Sequence, residues 1–170
     1  MENRFNQAAY AGLIVGAVKG IIYLLQIFFP QSGLISTLTF LARIGVLVLV
    51  YYLAKSFRDK YLGGYCSYGR AYSQCLWIYL FASVITTLFQ FVHMQFLQPD
   101  YLTEVFNEMM LAFEQAGLTS AEIETFSDFG VPTAAQTSIA CLFGNMLLGA
   151  FVSLIIAAFV RKEDYLANNQ

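Results

Sequence analysis

Apolar residues come in four long blocks, at roughly residues 8–29, 34–54, 71–97 and 134–160, and polar residues gather between them. At ~1.5 Å per residue, each block is long enough to cross a ~30 Å hydrocarbon core as a helix. The pattern predicts an all-α polytopic membrane protein: a single membrane domain over residues 1–170, built as a four-transmembrane-helix bundle. Pro30, Pro99 and Pro132 fall at predicted block ends and interrupt none of them, as expected of a residue that cannot continue a helix. The first run is read as a retained span and not as a signal peptide. It is long, carries Lys19 and lacks an A-x-A-like site before Pro30.

The connection at about 98–133 has periodicity of its own. Leu102, Val105, Phe106, Met109, Met110 and Phe113 recur at helical spacing, with Glu104, Asn107, Glu108 and Glu114 on the other face. Asp100 is the expected N-cap and Gly117 the stop. Thr119 to Glu122 fits a capping box that opens a second short helix, with Ile123 and Phe126 inward and Gly130 at its end. Two short amphipathic helices lying on the bundle or in the headgroup region are the simplest arrangement. A partner-binding surface is the alternative reading of the Phe/Met face.

Charge orients the blocks. Arg4, Lys55, Arg58, Lys60, Arg70, Arg161 and Lys162 all lie at one end of the four blocks, whereas the connections 30–33 and 98–133 contain no Lys or Arg. Under the positive-inside rule both termini and the middle loop are cytoplasmic, and the insert is extracytoplasmic. Tyr51, Tyr52, Tyr68, Tyr72 and Trp77 fall near the inner boundary, as an aromatic belt would. Seven acids sit in the insert, so the net charge of −2 hides a polarised distribution. With 58 % apolar residues and few basic ones, all held at a membrane surface, nucleic-acid binding is not expected.

Within the first block Ala8, Gly12, Gly16 and Gly20 recur every fourth residue, and the fourth block carries a weaker version in Gly149, Ser153 and Ala157. Small residues on one face let two membrane helices approach closely. Packing within one bundle and a homodimer seam both fit this face, so the expected partners are the lipid bilayer and either a second copy or another membrane protein.

Lys19 and Arg43 are the exceptions to the apolar blocks. A short hairpin between blocks one and two places both near mid-membrane on adjacent helices, and no Asp or Glu lies inside any block. Such charges are costly and normally face a bundle interior or a wet cavity. Gln26, Gln74, Gln90, Gln136, Asn145 and tyrosine hydroxyls are the available polar partners. Two readings stand: snorkelling with hydrogen bonds to these groups, or an intramembrane polar site built from Lys19, Arg43, Gln90 and Asn145 that holds an anion or a lipid headgroup. His93, near the outer end of the third block, is read as an interfacial hydrogen-bonding residue. The cysteines Cys66, Cys75 and Cys141 are read as free, because Cys75 and Cys141 fall at depths too different for a disulfide.

The middle loop carries the stretch Gly63-Gly64-Tyr65-Cys66-Ser67-Tyr68-Gly69-Arg70-Ala71-Tyr72, leading directly into the third block. Gly63, Gly64 and Gly69 permit tight turns and Ser67 is placed to cap the following helix. A glycine-rich loop can also cradle phosphate, but the G-K-[ST] ending and the strand–loop–helix context of a P-loop are missing. The stretch resembles the G-G-x-x-S-[FY]-G-x-A-[FY] signature of a bacterial family of four-helix integral membrane proteins catalogued as domain of unknown function 4199. The likeness extends over nearly the whole chain, including the Pro-Asp that opens the acidic insert and the closing basic pair. It implies a bacterial cytoplasmic membrane and carries over no reaction, cofactor or catalytic residue. No paired carboxylates, metal-ligand cluster or nucleophile motif is present, so no catalytic, metal or cofactor site is expected. The expected function is that of a non-enzymatic assembly or interaction protein. The alternative is a small transporter or channel with the cationic site.

Overall fold

The computed structural model describes residues 2–29 and 32–162, with side chains from residue 5 onward. Pro30 and the side chain of Arg4 lie outside the described residues. The described residues form six α-helices: α1 (Glu2–Phe28), α2 (Gly33–Tyr61), α3 (Tyr68–Val92), α4 (Tyr101–Gln115), α5 (Ser120–Ser127) and α6 (Ala134–Val160). Helices α1, α2, α3 and α6 are long and apolar enough to cross a membrane. They run alternately, so Phe28, Gly33, Val92 and Ala134 mark one end, which bears the insert. Tyr61, Tyr68 and Val160 mark the other, basic end.

Side-chain size decides how the four pack. Helix α3 is the centre, meeting α1 along its length on one side and α6 on the other. A side-chain carbon added at Gly12 would stand 2.4 Å from Cβ of Phe81, and one at Gly20 2.4 Å from the ring of Phe89. Gly149 of α6 is seated in the same way on Tyr79 of α3, at 2.7 Å. Both small-residue faces are thus filled within the chain, as packing within one bundle requires. Helix α2 packs chiefly on α1 and only thinly on α3 and α6. A seam therefore remains between α2 and α6.

The interior is small and the exterior large, the reverse of a water-soluble protein. Ala8, Val15, Cys75, Ile78, Ala82, Ser83, Ser153 and Ala157 are buried, whereas Leu34, Phe40, Phe143, Leu147, Phe151 and Phe159 point outward. Bulky apolar side chains belong outside when lipid is the solvent. The interior hydroxyls of Ser83 and Thr86 donate to carbonyls one turn back, Tyr79 O at 2.7 Å and Ala82 O at 2.8 Å.

Three local features depart from the sequence pattern. Helix α2 continues past its apolar run to Tyr61, because Ala54, Phe57 and Arg58 keep a buried face while Asp59 and Lys60 stay in the open. The third block is not one helix. After Val92 it widens into a π turn, His93–Leu97, closed by Gln98 N–H to His93 O at 2.9 Å. Pro99 holds Gln98 away from helical geometry (φ −138°, ψ 78°) and ends the run there. The insert helices, finally, pack on each other and not along the bundle. Phe113 meets Phe126 with centroids 5.1 Å apart, and no residue of α4 or α5 is buried. Leu102, Phe106, Met110 and Phe113 are half-buried on the inner face of that pair, while Val105 and Met109 are exposed.

Candidate functional site

Lys19 and Arg43 line one cleft of about 310 Å³ together with Tyr79, Asn145, Gly149 and Val152. Counted along the helices, Lys19 lies nine residues before Phe28 and Arg43 ten after Gly33, about 14–15 Å from the insert end. The cleft opens sideways through the α2–α6 seam and is not enclosed in the bundle, so Lys19 is half-buried but Arg43 is exposed. The two cations use different amides. Lys19 Nζ donates to Asn145 Oδ1 at 3.3 Å, and Asn145 Nδ2 reaches Gln90 Oε1 at 3.5 Å, the outer limit for a hydrogen bond. Arg43 Nη2 donates to Gln26 Oε1, and Gln26 Nε2 donates to Thr39 Oγ1 at 3.2 Å.

No acidic residue occurs in 5–28, 33–58, 68–97 or 134–160, so both charges are met by neutral amides alone. Tyr79, on the wall of the cleft, is 5 % exposed and its hydroxyl has no hydrogen-bond partner. A buried hydroxyl of this kind is a donor without an acceptor. Of the other amides expected near the cations, Gln136 instead caps α6, accepting from the Thr133 N–H at 2.9 Å, and Gln74 is buried with its carbonyl oxygen unpaired.

A second polar knot sits at the insert end and escapes sequence reasoning. His93 is fully buried and hydrogen-bonded on both ring nitrogens. Gln98 Oε1 accepts from its Nε2–H at 2.9 Å, which leaves Nδ1 to accept the Tyr23 hydroxyl, also at 2.9 Å. The ring meets Tyr23 and Tyr101 edge-on, with centroids 5.6 and 4.9 Å away. His93 thereby ties α1, the π turn and the root of α4 together.

At the basic end the loop 62–67 is held by its own hydrogen bonds. Gly63 (φ 64°) and Gly64 (φ 88°) take the left-handed conformation that glycine adopts without steric cost. The amides of Gly64, Tyr65 and Cys66 bond to Arg58 O, Leu62 O and Lys162 O. These donors are committed to backbone carbonyls, which favours the turn reading over a phosphate cradle. Gly69 is not in a turn: it lies inside α3, exposed and with nothing close to it. Ser67 and Asp100 occupy the N-cap positions of α3 and α4, but neither side chain makes a capping bond.

Arg58 was expected in the basic loop but is buried on α2. Its Nη1 donates to Val160 O at 2.8 Å and its Nε to Asp59 at 2.8 Å. Cys66 and Lys162 exchange two backbone hydrogen bonds of 2.8 and 2.9 Å. All three cysteines are free thiols. Among the described residues no three His, Cys, Asp or Glu side chains come together to hold a metal.

Four membrane-length helices around a sideways-opening cationic cleft, with a helical insert at the opposite end from the basic loop, define a class of small polytopic helical bundle. The particular family follows from comparison with known sequences. This chain belongs to the family described as a protein of unknown function, DUF4199, whose model matches residues 8–162. No curated protein and no solved structure matches the chain.

Proposed function

We propose that this is a non-enzymatic membrane protein whose cleft binds an anionic group within the bilayer. The observation that carries this reading is the convergence of Lys19 and Arg43 on one cleft without any carboxylate. Two like charges at mid-depth repel each other in a poorly screened medium, and an anion between them removes that repulsion. The distribution of Lys and Arg supports an orientation with both termini and the 62–67 loop inside and the acidic insert outside, and the family resemblance implies a bacterial cytoplasmic membrane.

Binding is tested on the purified protein in mild detergent by following thermal unfolding against phosphate or acetate. A ligand of the native state raises the midpoint with concentration. The wild type should respond, and Lys19→Met and Arg43→Met should respond weakly or not at all. A wild type indifferent to both anions, or variants that respond equally, would remove the reading.

Assembly with a protein partner is the second reading, and the insert favours it. Val105, Met109 and Leu111 of α4 and Phe129 beyond α5 are exposed although the two helices already cover each other's inner faces. Crosslinking from Met109 in intact cells should capture a defined partner if this surface docks one.

A further inference from the structure

The cationic cleft does not end at Arg43. Leu47 and Val152 line it and also line a second groove of about 380 Å³, which continues along the α2–α6 seam towards the basic end past Tyr51, Ile155 and Phe159. The first segment carries the two cations, and every lining residue of the second but Tyr51 is aliphatic or Phe. Both open sideways because α2 packs thinly on α6. The geometry points to an occupant that is itself amphipathic: a single acyl chain with a carboxylate head, seated with the head between Lys19 and Arg43 and the chain along the α2–α6 seam.

The head is argued from charge and depth. A carboxylate accepts about four hydrogen bonds on its two oxygens. Lys19 and Arg43 each give one donor to an amide, which leaves two ammonium hydrogens and the rest of the guanidinium to meet it. The site lies about 14–15 Å from the insert end, so a head must shed its water to arrive there. A carboxylic acid travels neutral and ionises beside the cations, whereas a phosphodiester stays charged all the way. One chain is argued from the seam, a single run between two helices that continues from the cleft in one direction.

This inference rests on the anion-binding reading, and its test separates the two. The purified protein in mild detergent is irradiated with palmitate carrying a diazirine at the chain terminus, and labelled residues are located by peptide mass spectrometry. Labels should concentrate on Tyr51, Ile155 and Phe159, and unlabelled palmitate but not methyl palmitate should compete. Arg43→Met, at an exposed position, and Lys19→Met should each lower labelling at least about tenfold, the loss expected when a charge-assisted hydrogen bond is removed. Ile155→Trp should block labelling while leaving the thermal response to acetate intact. Labels spread evenly over all lipid-facing helices, or groove labelling unchanged in the Met variants, would overturn the inference. So would stronger competition by a two-chain phosphatidylglycerol than by palmitate. Stabilisation by acetate without groove labelling would sink the acyl chain alone, and absence of both would sink the anion site with it.

Discussion

Gly16 of α1 lies so close to Ile85 of α3 that a side-chain carbon on the glycine would stand 2.6 Å from Cβ of Ile85 and 2.9 Å from the backbone oxygen of Ala82. No real pair of carbons sits that close, and a backbone oxygen cannot rotate away. Gly16→Leu must therefore separate α1 from α3. Overpacking of this kind costs about 1–3 kcal/mol or more. The variant should lose thermal stability in detergent with its oligomeric state unchanged, measured by scanning fluorimetry and size-exclusion light scattering. A stable variant with altered oligomeric state would mean that the face serves a neighbour.

Tyr23→Phe keeps the ring against His93 but removes the proton that His93 Nδ1 accepts. The lone pair is then buried without a partner, at a cost of about 1–3 kcal/mol. Faster amide exchange at Gln98, whose N–H closes the π turn on His93 O, should accompany the loss. Exchange unchanged at Gln98 would show that the turn stands without the tyrosine.

Arg58→Met takes away the guanidinium that α2 lends to the last carbonyl of α6. Val160 O is left short of a donor in a buried position, again worth about 1–3 kcal/mol. Arg58→Lys should not restore it, since one ammonium cannot fork between Val160 O and Asp59 as the guanidinium does. Trypsin should then cut at Arg161 faster in both variants than in the wild type.

The insert has a pH dependence with a definite sign. Glu122 accepts from the Thr119 N–H at 2.8 Å and from the Thr119 hydroxyl at 2.7 Å, and these bonds hold its carboxyl below the usual glutamate value. A carboxyl with a depressed folded-state pKa contributes stability that is present above its ordinary value of 4.5 and is lost as pH falls through the lowered one. The start of α5 should therefore loosen in acid. Amide exchange at residues 119–123 should show it, and Glu122→Gln should flatten that response. A wild type with no change on acidification would contradict the capping arrangement.

Legibility divides along physical lines. The ends of α6, the stops at Gly117 and Gly130, and the existence of α4 and α5 were readable because hydropathy, proline and left-handed glycine are local signals. The common height of Lys19 and Arg43 was readable because a short hairpin fixes the relative height of two helices. What residues do to one another across the bundle was not. His93 with Tyr23, and Arg58 with Val160, join positions far apart in the chain, and no spacing rule connects them. Tyr79 escaped for the same reason, since its hydroxyl is notable only for what it fails to meet. Ser67 and Asp100 show the opposite error. Both have the right residue type in the right position, and both helices begin without their side chains.

Synthesis delivers α2 before α3, yet the face carrying Gly12, Gly16 and Gly20 is shaped for α3. A nascent chain holding only the first hairpin therefore stands in the bilayer with its closest-fitting surface uncovered. Until the third span enters, that surface is open to any other helix with small residues at four-residue spacing, including the first span of a neighbouring nascent copy. Chains truncated before Tyr68 should associate promiscuously through this face, which in the finished bundle α3 covers.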